Sequence, residues 1–166
     1  MEQVNHMDRI DKIIEHPLFL YHLRQNQAAE AERRFCRHDM THFLDVARIG
    51  VMISLEEGLK IPRDWIYAAA LLHDMGKHIQ YEDGTPHELA SGRIAPQILQ
   101  DCGYDQKETY VITEAILKHR EKSTAQEKNL SGILYRADKA SRPCFACEAE
   151  PDCNWKADKK NRKIKY

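Results

Sequence analysis

Apolar positions recur along the chain at intervals of three and four residues, with charged residues between them, over nearly its whole length. That spacing places apolar side chains on one face of an α-helix. Alternating strand patterns joined by hairpin turns are missing. The periodicity predicts helices over roughly 4–15, ending near Pro17, and over 18–35, where Leu23, Ala28, Ala29, Glu30, Ala31 and Glu32 favour helix. It predicts further helices from Thr41 to Glu57, with Gly58 as the stop, and from Arg63 to Met75, behind Pro62 and ahead of Gly76. "TPHELASGRIAPQIL" opens on a capping-box pattern of Thr85, Pro86 and Glu88, and its Pro96 should kink or shorten the helix. "DQKETYVITEAILKH" opens on a second box, Asp105 with Glu108, and a last helix covers 129–141. About seven helices without strands make an all-α bundle. The segment "RPCFACEAEPDCNW" has no period and reads as an irregular, cysteine-bearing tail. The expected divisions are an N-terminal helical region over 1–36, a central helical domain over 37–142, and a tail over 143–166 packed on that domain.

Several polar residues interrupt the apolar stripes. His42 shares a face with Val46, Ile49 and Ile53. His73 shares one with Ile66, Ala69 and Ala70, and His119 with Ile112, Ala115 and Ile116. His87 lines up with Ala90 and Ile94, and Asp138 with Leu130 and Leu134. One such histidine is ordinarily a satisfied core residue. An ionised carboxylate in an apolar stripe is harder to accommodate, because it costs several kcal/mol unless a cation or a set of donors compensates it. A cation that also collects imidazoles accounts for all five positions, and for Asp74 beside His73. Imidazole with carboxylate suits divalent iron, manganese, zinc or similar ions. Six ligands exceed what one ion needs if it also binds water and substrate, whereas two ions sharing Asp74 as a bridge would use them.

Composition narrows the class. A chain of 166 residues with 42% hydrophobic and 31% charged residues can bury one core. A net charge of -1 argues against nucleic-acid binding by bulk electrostatics. The basic "KADKKNRKIKY" reads as a solvated tail. No apolar run is long enough for a bilayer, and the N-terminus lacks a signal-peptide pattern, so a cytoplasmic location with reduced cysteines is expected.

The segments "HFLDVAR" (His42), "AALLHDMGK" (His73, Asp74), "PHELAS" (His87), "AILKHRE" (His119) and "LYRADKAS" (Asp138) resemble, in that order, the HD-domain superfamily of metal-dependent phosphohydrolases. Their order is most similar to the dinuclear subgroup that includes the HD-type symmetrical diadenosine tetraphosphate hydrolases. The resemblance implies a first ion on His42, His73, Asp74 and Asp138, and a second on Asp74, His87 and His119. It implies hydrolysis of a nucleotide or other small phosphate ester by hydroxide formed on the metal, with Asp74 orienting the water and accepting its proton. Lys77 is the first candidate for a phosphate contact. Arg120, Arg48 and Arg142 are nearby in sequence, and Tyr81, Tyr135 and Phe145 could stack on a base. His38, in "RHDMTH", competes with His42, but it precedes the helix and reads as a surface or cap residue. His78 reads as solvated, and His6, His16 and His22 have no evident partner.

Two other readings stay open: a di-iron oxygenase on the same ligand types, and a non-catalytic metal- or nucleotide-binding regulatory module. In the tail, Cys144, Cys147 and Cys153 are spaced C-x2-C-x5-C, as in a metal knuckle. Cys36, just ahead of the His42 helix, is the expected fourth thiolate. A structural zinc ion is expected there, with an iron–sulfur cluster as the alternative. Cys102 reads as an ordinary small buried residue. Substrate identity, metal identity and oligomeric state are not encoded in any visible motif.

Overall fold

The computed structural model describes residues 6–166. The start of the first predicted helix and the side chain of His6 lie outside the described residues. Among those described there are eight α-helices and no strand: α1 (His6–Glu15), α2 (Pro17–Ala29), α3 (Met40–Glu56), α4 (Arg63–Leu72), α5 (Lys77–Asp83), α6 (His87–Asp101), α7 (Gln106–Lys118) and α8 (Leu130–Ala140). Seven match the periodic segments. The eighth, α5, occupies a stretch that reads as a polar loop, because about two turns are too short for periodicity to register.

The bundle is organised around α4. Its residues Ile66 to Leu72 are all buried, as expected of a helix that is apolar on every side. It packs against α1, α3, α7 and α8. Gly50 of α3 permits the closest of these approaches, since a Cβ there would stand 2.7 Å from Ile66 Cγ2 and 3.2 Å from Ile133 Cγ2. The gap brings α3, α4 and α8 together, and these three helices carry His42, His73 and Asp138.

Local signals account for most boundaries. Asp39 caps α3 by accepting from the His42 amide at 3.1 Å, and Asn129 caps α8 through the Gly132 amide at 3.0 Å. Asp105 and Glu108 form the predicted capping box. Gly58, with φ of 65°, follows the end of α3. Two expectations fail, and of the two outcomes expected at Pro96 the shortened helix is not seen. The box over Thr85, Pro86 and Glu88 does not form: α6 begins at His87, whose amide donates instead to Gln80 Oε1 at 3.1 Å. Pro96 does not end α6, which continues to Asp101. Helix α2 stops at Ala29, because Glu30 turns inward to bind the chain at His38 rather than extending the helix.

Candidate metal centre

The polar end of α4 answers why its apolar run closes on charge. His73 caps α4, and Asp74 begins the turn into α5. Helices α3, α6, α7 and α8 bring His42, His87, His119 and Asp138 to the same place. The ligand atoms of His42, His73, Asp74 and Asp138 all lie within 4.8 Å of one another, and so do those of Asp74, His87 and His119. Asp74 belongs to both sets. Its Oδ2 lies 3.3 Å from His42 Nε2 and 3.0 Å from His73 Nε2, while its Oδ1 lies 3.2 Å from His87 Nε2 and 3.6 Å from His119 Nε2. Asp138 Oδ1 completes the first set, 3.3 Å from His42 Nε2 and 3.6 Å from His73 Nε2. All four histidines and Asp74 are buried.

The remaining ring nitrogens settle what these atoms are. His73 Nδ1–H donates to the Ala70 carbonyl and His119 Nδ1–H to the Ile116 carbonyl, each at 2.7 Å. His87 Nδ1–H donates to Gln80 Oε1 at 2.6 Å. Ser141 Oγ gives its own hydrogen to the Asp138 carbonyl at 2.7 Å, so it accepts from His42 Nδ1–H at 3.3 Å. Each acceptor fixes Nδ1 as a protonated nitrogen, so Nε2 faces the centre and offers its lone pair there whenever the imidazole is neutral. Four lone pairs and two carboxylates then face one another, and His87 Nε2 and His119 Nε2 are 3.2 Å apart. His73 Nε2 is buried without a hydrogen-bond partner. Such a set is repulsive unless positive charge stands within it, and it matches the donor chemistry of a divalent transition ion.

Proton affinities reflect the same demand for positive charge. Burial lowers the affinity of His73, but Asp74 and Asp138 outweigh it and push its pKa up to about 10. Burial would raise Asp74 and Asp138. The histidines around Asp74, and Lys139 with His42 and His73 around Asp138, instead hold both well below the ordinary carboxylate range.

The centre forms part of the wall of a cavity of about 740 Å³. Lys77, Arg120, Lys122, Arg136, Lys139, Arg142, Lys159 and Lys165 also line it. A chain that is nearly neutral overall therefore presents a strongly cationic pocket. Lys77 Nζ lies 3.5 Å from His87 Nδ1, with its pKa lowered by burial against the pull of Asp74. Arg120 is largely exposed and pairs with Glu88 at 3.5 Å. Arg142 is buried, with Nη2 3.4 Å from His42 Nε2. Tyr135 faces the cavity, whereas Arg48, Tyr81 and Phe145 do not line it. The basic tail is not simply solvated: Lys159, Asn161, Lys165 and Tyr166 build one side of the pocket.

Four histidines differ from the sequence expectation. His38 is buried, bonded through Nδ1 to Glu30, with Nε2 4.0 Å from Asp74 Oδ2. Burial lowers its pKa. Glu30, which also accepts from Tyr81 at 2.7 Å, would be raised by burial but is pulled down to about 2 by His38. His78 is buried against His22, with Nε2 2.9 Å from His22 Nδ1. His16 caps α2 and pairs with Asp101 at 3.1 Å.

Four supporting residues escaped sequence reasoning: Gln80, Ser141, Asn26 and Glu30. Asn26 is fully buried; its Nδ2 donates to the Asp74 carbonyl at 2.9 Å, and its Oδ1 accepts from the His78 amide at 2.8 Å. Only Ser141, one turn after Asp138, carried a usable signal.

Similarity to known proteins agrees with this geometry. The chain is 45% identical over 160 residues to an uncharacterized protein of Clostridium beijerinckii, covering 96% of this chain and 100% of that one. It is 30% identical over 106 residues to Ribonuclease Y of Mycoplasma mycoides, covering 63% of this chain but 19% of the ribonuclease. The fold matches the 1.45 Å crystal structure of a predicted HD superfamily hydrolase from an uncultured Thermotogales bacterium, with a TM-score of 0.62 and 21% identity, covering 91% of this chain and 86% of that one. The HD domain matches residues 39–142, the span that holds all six histidine and aspartate ligand positions, and the chain belongs to the HD-domain family.

Proposed function

We propose that the protein is a metal-dependent phosphohydrolase acting on a nucleotide or another small phosphate ester. One observation carries the reading: four imidazoles and two carboxylates converge beside a cavity whose lining carries eight Lys and Arg residues against one further carboxylate, Asp158. Divalent ions bound there supply Lewis acidity and an activated water. His42, His73, Asp74 and Asp138 would hold one ion, and Asp74, His87 and His119 a second.

The chain's own groups do the rest. Asp74, between the two sets, would hold both ions and so position the attacking water, whose proton passes to solvent because this carboxylate is held well below the ordinary range. Lys77 binds a phosphoryl oxygen and balances charge as the bond to the leaving group breaks. Arg142, Arg120 and Lys122 hold the remaining phosphate oxygens, and Tyr135 offers a face for a base. The cationic lining favours a phosphate-bearing substrate over the small neutral molecules an oxygenase could take. A relative named as a ribonuclease supports phosphoryl chemistry as the class.

The test is metal analysis of the purified protein, with a phosphate-release screen over nucleotides and simple phosphate esters under manganese, iron and other divalent ions. Turnover should require metal and fall at least 1,000-fold, about 4 kcal/mol of barrier, in Asp74→Ala. Activity that survives Asp74→Ala, or metal-loaded protein that turns over none of these esters, overturns the reading.

A further inference from the structure

The tail poses a physical problem of its own. Across residues 143–166, Ala149 is the one apolar side chain that is buried. Three short 3-10 turns, Cys144–Ala146, Glu150–Asp152 and Ala157–Lys159, replace helices that could pack. Hydrogen bonds provide part of the hold. Asn161 is buried, donating to the Lys139 and Arg142 carbonyls at 2.8 and 2.9 Å, while its own carbonyl accepts from the Phe145 amide at 2.9 Å. A segment with so little core ordinarily needs a covalent or metal staple. None of the five cysteines forms a disulfide.

Cys36, Cys144, Cys147 and Cys153 all line one cavity of about 370 Å³, which shares Arg142 and Trp155 with the cationic pocket. Burial raises the Cys36 thiol pKa; Arg142 opposes this, and the other three thiols reinforce it. Cys102 is buried elsewhere, in the helical core. We propose that Cys36, Cys144, Cys147 and Cys153 together hold an iron–sulfur cluster.

Sulfur spacing favours a cluster over a single zinc ion. Four thiolates on one zinc, each about 2.3 Å from the metal, stand roughly 3.8 Å apart. Among the described residues no three of these sulfurs lie mutually within 4.8 Å, the span that gathers each histidine–aspartate set. Several irons bridged by sulfide hold their thiolates farther apart and need a cavity rather than a point. Charge suits a metal group held by four thiolates. A cluster with four thiolate ligands is anionic overall, and Arg37 and Arg142 border the cavity while spending donors on backbone carbonyls. The carboxylates that also border it are engaged or peripheral: Asp39 caps α3, Glu150 pairs with Lys160 at 3.0 Å, and Asp45 lies along α3. The cluster would pin the tail that walls the cationic pocket.

The test uses the full chain isolated without oxygen. Iron and acid-labile sulfide should be present together, with thiolate-to-iron charge-transfer absorption in the visible range. Cys147→Ser and Cys153→Ser, at positions outside the core, should each lose at least 80% of the sulfide while keeping the far-ultraviolet helical signal. Asp74→Ala should keep its sulfide, so loss of the phosphohydrolase centre and loss of the cluster are read separately. Protein that holds zinc without sulfide on these cysteines overturns the proposal. So does protein that stays free of sulfide after anaerobic incubation with ferrous iron and sulfide.

Discussion

Asn26 offers a sharp test of how the metal centre is held. Its amide joins the Asp74 carbonyl to the His78 amide, so one side chain ties both ends of the turn between α4 and α5. Asn26→Ala removes both bonds and leaves a buried carbonyl and a buried N–H without partners. Each orphan costs about 1–3 kcal/mol, so the sum is about 2–6 kcal/mol. A water that enters the vacated space would hold it near the lower half, about 3 kcal/mol. For a chain of this size that lowers Tm by roughly 6–12 °C. Asp74 and His73 belong to the tied turn, and loss of such outer support typically weakens metal affinity about 10–100-fold. Urea unfolding of metal-free protein measures the first effect, and calorimetric titration with manganese of the folded variant measures the second. Asn26→Asp separates the two bonds: it keeps an acceptor for His78 but sets a carboxylate against the Asp74 carbonyl, so it should be no more stable than Asn26→Ala. An Asn26→Ala protein within about 1 kcal/mol of the parent, with unchanged manganese affinity, would refute the reasoning.

Three further outcomes are expected. Gly76→Ala should destabilise by about 1–3 kcal/mol through overpacking and weaken metal binding, since a Cβ there would stand 2.7 Å from the Ser91 nitrogen and 3.0 Å from the Ala90 carbonyl carbon of α6; denaturant midpoints check it, and an unchanged midpoint counts against the close approach. Lys77→Met should raise KM or lower kcat about 10–100-fold, the worth of one charged hydrogen bond, while metal content stays the same; steady-state kinetics with metal analysis decides, and full activity would remove Lys77 from phosphate binding. Burial, with His78 alongside, lowers His22 from 6.5 to about 4. The unfolded chain therefore takes up a proton there that the fold resists, so this contribution is intact above pH 6.5 and is lost as pH falls through about 4. His22→Gln should flatten the fall in unfolding free energy between those values, and an identical slope would show that the pair is silent.

The helical core was largely visible in the sequence, and so were the six polar positions that break its stripes. Seven helices could be placed because each buries a face long enough to repeat. Helix α5 was hidden because about two turns cannot establish a period, and its concealment also hid Gln80 and the burial of His78. Two capping patterns of the same kind had different outcomes. Asp105 and Glu108 close their box, while the Thr85 box yields to Gln80, which takes the His87 amide from outside the helix. His38 looked like a surface residue because its partner, Glu30, lies in a segment that ordinary helix propensity would have continued outward.

Sequence alone settled the all-α class and pointed to His42, His73, His87, His119 and Asp138 on inward-facing stripes, though it missed the burial of His38 and His78; the first follows from spacing along a helix and the second from the cost of placing a carboxylate among apolar neighbours. It also marked three cysteines by their separation. Convergence is a different kind of fact. That Asp74 turns one oxygen toward His42 and His73 and the other toward His87 and His119 depends on four helices crossing at one place, and no local interval encodes a crossing. The same packing chose each imidazole tautomer, folded a basic tail into the wall of the pocket, and brought Cys36 to face a cavity with cysteines more than a hundred positions away.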